Sequence, residues 1–345
     1  MLYLRRPHVA GGEGVKAMRQ LRCAECGSRD LDLVFGPDAT CEACGCPLEF
    51  PFEDCAGPAE DGDPVALTIL GDDYSQGVDG APLDEKRAMA CYEKAADMGF
   101  APAMRKVGYL YENAVGVPQD LKKAMEWYEK AAEKGDIRAV FNVGIMYHFH
   151  FGPNMPRALT CYERAAAAGL LRAQRIYGEC YHHGNGVKKD QAKAVEWIGR
   201  AAEGGDAEAQ RLMGLFYEGG DGVAEDPERA AAFYAMAAER GDAIAQRRLG
   251  CCYEQAYGIE EDAEKAYDLY AAAADGEDAD ALYMLARFHR DGIVVARDRG
   301  MAEALLKEAA EKGCAEARSA LAELREEQAS GIGSLFRQGI SRLFR

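Results

Sequence analysis

A chain of 345 residues, 48% hydrophobic and 29% charged, has the composition of a folded protein with ample apolar surface to bury. Its net charge of −17 argues against the broad basic footprint that nucleic-acid and anionic-membrane binders use. The first residues hold no secretory apolar run, and no later stretch approaches a spanning helix, so a cytoplasmic protein is expected. In a reducing compartment its twelve cysteines read as thiols and metal ligands rather than disulfides.

The cysteines divide the chain. Six fall between Cys23 and Cys55, and the rest are scattered. Residues 1–17 carry Arg5, Arg6 and Lys16 without apolar periodicity and are expected to be a disordered extension. Residues 18–55 then hold two Cys-x-x-Cys-Gly knuckles, Cys23/Cys26 and Cys41/Cys44. A two-residue gap lets both thiolates of a knuckle reach one tetrahedral ion, and the following glycine lets the backbone reverse. Leu31-Asp32-Leu33-Val34-Phe35 and Leu48-Glu49-Phe50-Pro51-Phe52 read as short strands.

This segment resembles a zinc ribbon, with one structural Zn2+ on Cys23, Cys26, Cys41 and Cys44. A redox dithiol pair is the competing reading, and Cys46 and Cys55 are spare thiols. Arg19, Arg22 and Arg29 stand against Glu25, Asp30, Asp32, Asp38, Glu42, Glu49, Glu53 and Asp54. That balance supplies no cation cluster for phosphates. A protein-binding or structural ribbon is expected, and residues 56–63 read as a polar linker.

From residue 64 the chain repeats. Ala173-Gln174-Arg175-x-Tyr177-Gly178-x-x-Tyr181 recurs from Ala209 and again from Ala245, each step 36 residues. The tyrosine row extends back through Tyr147, Tyr111 and Tyr74. Each unit divides into two helical stretches, as with Ala103, Val107, Gly108 and Tyr111, then Ala124, Trp127, Tyr128 and Ala131. Asp120, Asp190, Asp226, Asp262 and Asp298 stand where the second helix wants an N-cap. Gly99, Gly135, Gly169, Gly205, Gly241 and Gly313 close the units, with Glu277 as the exception. A second glycine row is mid-helix (Gly71, Gly108, Gly144, Gly178, Gly214, Gly250), where glycine costs about 1 kcal/mol against alanine. Close approach of paired helices is the expected reason, with tyrosines filling the layers between repeats.

At these residues the array, 64–314, resembles the Sel1-like repeat family, relatives of tetratricopeptide repeats. The resemblance implies an all-α, right-handed α-solenoid of about seven helical hairpins with a concave groove. It also implies a non-catalytic scaffold or adaptor that binds a protein or peptide there. Residues 315–345 read as a closing helix and a basic amphipathic tail. Ile332, Leu335, Phe336, Ile340, Leu343 and Phe344 share one face of that tail, a feature suited to a membrane surface or to docking.

Three residues before the mid-helix glycine stand Thr68, Arg105, Phe141, Arg175, Arg211, Arg247 and Tyr283. By analogy with tetratricopeptide repeats this position faces the groove. Arg105, Phe141, Arg175, Arg211, Arg247 and Tyr283 are therefore the candidate partner-binding residues, the arginines offering bidentate donors to an acidic partner. The competing reading pairs each arginine with its own helix, as Arg175 with Glu179. His148, His150, His182 and His183 are weighed as a second metal site against solvated polar residues at helix ends. No phosphate loop, dinucleotide fingerprint, His-Glu-x-x-His, Gly-x-Ser-x-Gly or Ser-x-x-Lys is present. The alternative function is a regulator whose ribbon contacts nucleic acid or a transcription-type machine.

Overall fold

The computed structural model describes residues 31–32, 40–41, 52–77, 81–152 and 154–326, the strands and residues 52–54 by their backbone alone. The extension 1–17, knuckle residues Cys23, Cys26 and Cys44, and the tail 330–345 lie outside the described residues. Between the knuckles, β1 (Leu31–Asp32) pairs antiparallel with β2 (Thr40–Cys41), Leu31 opposite Cys41. The strand expected up to Phe52 is corrected at that residue, which opens a helix.

That helix, α1 (Phe52–Glu60), runs through most of the expected linker. Gly57 and Pro58 read as breakers in sequence, yet Cys55 and Ala59 are buried in one core with Val65 and Leu67 of the next helix. Tertiary burial overrides the local signal.

The described helices fall into two compact units, divided after Leu170. The first holds α1, α2 (Pro64–Gln76), α3 (Glu85–Asp97), α4 (Ala101–Asn113), α5 (Leu121–Glu133), α6 (Ile137–Phe149) and α7 (Met155–Ala167). The second holds α8 (Leu171–His183), α9 (Gln191–Glu203), α10 (Ala207–Gly219), α11 (Pro227–Glu239), α12 (Ala243–Gln255), α13 (Ala263–Asp275), α14 (Ala279–Asp291) and α15 (Arg299–Glu311). A final helix, α16, covers 315–326. Within each unit the even-numbered helix pairs with the odd one after it, and that one packs on the next even helix.

A 13-residue helix is marginal alone in water, so packing must hold it. The residues facing inward along the second helices are small, such as Ala124, Ala131, Ala194 and Ala201. Between them one large side chain per hairpin points at the mid-helix glycine of its own first helix. Tyr92, Tyr128, Tyr162, Ile198, Tyr234 and Tyr270 meet Gly71, Gly108, Gly144, Gly178, Gly214 and Gly250 in turn. These six side chains are at most 1% exposed. The glycines therefore seat the core residue of the same hairpin, not a layer between repeats.

Asp84, Asp120, Asp190, Asp226, Asp262 and Asp298 cap the second helices as the repeat grammar requires, each accepting from the amide three residues on. In the third repeat, whose loop is two residues shorter, Asn154 caps instead. The base at the third position of these helices lies over the tyrosine near the end of the first helix. Arg87 covers Tyr74, Lys123 Tyr111, Arg157 Tyr147, Lys193 Tyr181, Arg229 Tyr217 and Lys265 Tyr253, between 4.9 and 5.6 Å from the ring. The tyrosine row thus closes the loop end of the first six hairpins. Glu277, the exception among the closing glycines, still has φ +67. The backbone demands the left-handed conformation there whatever the side chain.

Candidate partner-binding face

Within each unit, side chains of one first helix reach the start of the first helix of the next repeat. Four arginines at the candidate groove position each meet a carboxylate of this chain. Arg105 Nε reaches Asp136 at 3.0 Å, Arg211 Nε reaches Asp242 at 3.1 Å, and Arg247 Nε reaches Asp278 at 2.9 Å. Arg175 contacts Asp206 at 3.3 Å as well as Glu179 and Glu208.

Each of these aspartates is the N-cap of the next first helix, accepting from the amide three residues on at 2.8 Å. One carboxylate thus closes a helix and binds the preceding repeat. The carboxylates that meet these arginines come from within the chain. The own-helix pair Arg175–Glu179 forms, but it is one contact among three.

The sequence carries a signal for this arrangement. Arg105, Arg175, Arg211 and Arg247 stand 31 residues before Asp136, Asp206, Asp242 and Asp278. Repeats without the arginine lack the aspartate: Phe141 precedes a helix entered by Leu170, and Tyr283 precedes one entered by Cys314. Phe141 is buried against the Tyr162 ring, and Tyr283 packs on the cluster containing Cys314. Phe141 is thus a core residue, and Tyr283 is a partly buried one at the edge of its cluster.

A second set of polar contacts joins the two helices of a hairpin. The hydroxyls of Tyr92, Tyr128, Tyr234 and Tyr270 donate to Asp72, Glu112, Glu218 and Glu254 on the first helix of the same hairpin. The next repeat adds a base to three of them: Lys106 to Asp72 at 2.8 Å, Arg248 to Glu218 at 3.2 Å and Arg287 to Glu254 at 3.0 Å. Burial, and the carboxylates they bond, push these tyrosines well above their ordinary range, so they remain neutral donors. Lys106 is 1% exposed, and burial pushes its ammonium down to about 7 against the pull of Asp72.

Two cavities open beside these contacts. One, of about 420 Å³, lies in the first unit among Ser75, Gln76, Tyr92, Lys106, Tyr109, Leu110 and Val115. The other, of about 310 Å³, lies in the second unit among Glu218, Glu225, Arg248, Cys251, Cys252, Gln255 and Tyr257. Counted from the mid-helix glycine they share a register. Lys106 and Arg248 stand at −2, Tyr109 and Cys251 at +1, Leu110 and Cys252 at +2, Val115 and Tyr257 at +7. Ser75 and Glu218 hold the +4 place of the preceding repeat. Apolar side chains show beside the paired charges: Tyr109 is 44% exposed, and Ile145 and Leu215 are half-buried at the same +1 place.

Among the described residues one group of three potential ligands lies within metal reach, Asp280, Cys314 and Glu316, and Asp280 already contacts Arg247 at 3.4 Å. His148 Nδ1 bonds the Tyr162 hydroxyl at 3.1 Å and His182 Nδ1 bonds Gln191 at 2.9 Å. Burial raises the Cys91, Cys161 and Cys314 thiols, and carries Cys180 to about 11 and Cys252 to about 12. Such thiols are not activated nucleophiles. Among the described residues no helix is long and apolar enough to cross a membrane.

Seven consecutive stretches match the model of the Sel1 repeat: 64–100, 101–136, 137–170, 171–206, 207–242, 243–278 and 279–314. The chain belongs to the Sel1 repeat family. Proteins built of Sel1 repeats are typically protein-interaction scaffolds and generally non-catalytic. Among solved structures, the chain is similar to c5321, a protective antigen of uropathogenic Escherichia coli strains displaying an SLR fold. The TM-score is 0.70 at 31% identity over 82% of this chain, which spans 61% of the length of that protein. It is also similar to a Sel1 repeat protein from Oxalobacter formigenes, with a TM-score of 0.61 at 32% identity, covering 70% of this chain and 96% of that one. No curated protein matches the chain in sequence.

Proposed function

We propose that the protein is a non-catalytic adaptor that holds a protein or peptide on the face formed by its first helices. The observation that carries this reading is the contrast along that face. The arginines and several of the acids are bonded to one another between repeats, while Tyr109 stays exposed at the edge of a cavity and Ile145 and Leu215 stand half-buried at the same register place. A partner held there is recognised by apolar and aromatic contacts rather than by its acidity.

The test compares proteins co-purifying with the wild-type chain and with Tyr109→Glu, both checked for equal helicity. Recovery of the partner should fall at least about tenfold, as for loss of an interface anchor of about 2 kcal/mol. Equal recovery would remove this face from the reading.

The two knuckles are proposed to hold one structural zinc through Cys23, Cys26, Cys41 and Cys44. Four soft thiolates at this spacing suit a closed tetrahedral site. Elemental analysis of the purified chain should return one zinc per molecule, and Cys41→Ser/Cys44→Ser none. Retention of zinc in that variant would sink the assignment.

A further inference from the structure

The loop end of the seventh repeat departs from the others at two places. Eight residues after the mid-helix glycine, five repeats carry a loop glycine: Gly116, Gly152, Gly186, Gly222 and Gly258, each at φ between +68 and +77. Eight residues after Ala286, the counterpart in the seventh repeat is Val294, which holds φ +65. A β-branched residue rarely adopts that conformation. At the third position of α15, where the first six repeats place the base over the tyrosine, stands Met301. Val294 and Met301 are each 47% exposed. Two apolar side chains are thus open where other repeats have bare backbone and a cation, and a strained, exposed residue of this kind points to a contact that uses it.

The chain leaves the array at this same end. Arg299, the first residue of α15, donates from Nη2 to the Leu324 carbonyl at 3.0 Å, and Arg325 Nε meets Glu303 at 3.3 Å. The last turn of α16 therefore lies against the first turn of α15, which holds Met301. Beside it, Ile293 and Val295 share a core cluster with Ala263 at the start of α13, so the loop of the sixth repeat is the neighbour. That loop and the turn after it expose Glu260, Glu261 and Glu264, and residues 243–278 hold nine acids against three bases. These acids outweigh Arg297, an exposed base of the seventh loop, while Arg290 is paired with Asp291.

We infer that residues 331–345 of this chain fold back as a helix over the loop end of the seventh repeat. The apolar face of Ile332, Leu335, Phe336, Ile340, Leu343 and Phe344 covers Val294 and Met301, and the arginines face the acids of the sixth repeat. The charges match, because residues 328–345 hold three arginines and no acid. The length matches too: fifteen helical residues extend about 22 Å, enough to cross neighbouring helices packed about 10 Å apart. Gly333 and Gly339 make such a helix weak alone, so contact must hold it. The basic amphipathic tail is then a docking segment for its own array rather than a membrane anchor.

The experiment follows amide hydrogen exchange of the full chain by mass spectrometry. Val294→Gly/Met301→Lys installs what the sixth repeat carries as Gly258 and Lys265, so the hairpin keeps a sequence that this array already folds. Amides of 331–345 should exchange at least about tenfold faster in that variant than in the wild type, with exchange across the array unchanged. Phe336→Ser/Leu343→Ser leaves the array untouched and should speed peroxide oxidation of Met301 by about threefold or more, because the thioether loses its cover. Equal exchange of 331–345 in the wild type and the Val294→Gly/Met301→Lys variant overturns the inference. So does Met301 oxidation unmoved by the tail variant, or protection of 331–345 that appears only when phosphatidylserine vesicles are added.

Discussion

Asp136→Ala should be among the most destabilising single substitutions in the first unit, by about 3–5 kcal/mol, the range for breaking a buried ion pair. Two losses coincide. The carboxylate accepts from the Ala139 amide at 2.8 Å at the start of α6, and it holds the Arg105 guanidinium at 3.0 Å. Both side chains are 9% exposed, so water cannot replace the missing partner of Arg105. Asp120→Ala removes a cap of the same geometry, 3.0 Å to the Lys123 amide, without an inter-repeat bond. It should cost about 1 kcal/mol. Chemical denaturation of the two variants measures the difference, and equal midpoints would show that Asp136 is only a cap. The double change Arg105→Phe/Asp136→Leu installs the pair that the third repeat carries as Phe141 and Leu170, and should recover most of the loss. Well-packed apolar replacements of buried ion pairs are often neutral.

Gly108→Ala should destabilise the chain even though alanine is the better helix former. An added Cβ would sit 2.7 Å from the Tyr128 ring and 3.2 Å from the Ala124 carbonyl oxygen. The ring has little freedom to withdraw, because Tyr128 is fully buried and its hydroxyl bonds Glu112 at 2.6 Å. Overpacking costs about 1–3 kcal/mol and works against a propensity gain of about 1. Gly199, inside α9, meets nothing within 4 Å of an added Cβ. Gly199→Ala should therefore stabilise by the propensity gain alone, about 1 kcal/mol. Thermal melts of the pair should move in opposite directions. A rise for Gly108→Ala would mean that the hairpin is looser than the contact distances imply.

The repeat grammar was open to reading because it is written locally and copied. A cap, a small residue and an aromatic recur at one period. The same period contained the Arg–Asp pairs, but the partners stand 31 residues apart across a hairpin. Reading each arginine by its place on its own helix pointed it outward. The helix over 52–60 was missed for the opposite reason. Gly57 and Pro58 speak against it locally, and only the burial of Cys55 and Ala59 beside α2 supplies what propensity lacks.

By itself the amino-acid sequence determined the array, its seven units, the capping of the second helices and the spacing of the Cys-x-x-Cys knuckles, since each depends on neighbours within one turn or one loop. Tertiary structure alone decided which charges are spent inside the molecule. An arginine in a helix looks the same in sequence whether it meets a partner or the next cap, because that depends on how closely successive first helices lie. The cavities at Lys106 and Arg248 were decided at the same level. They are spaces left between helices by side chains from adjacent repeats, and a gap of that kind belongs to the packing and not to any one residue.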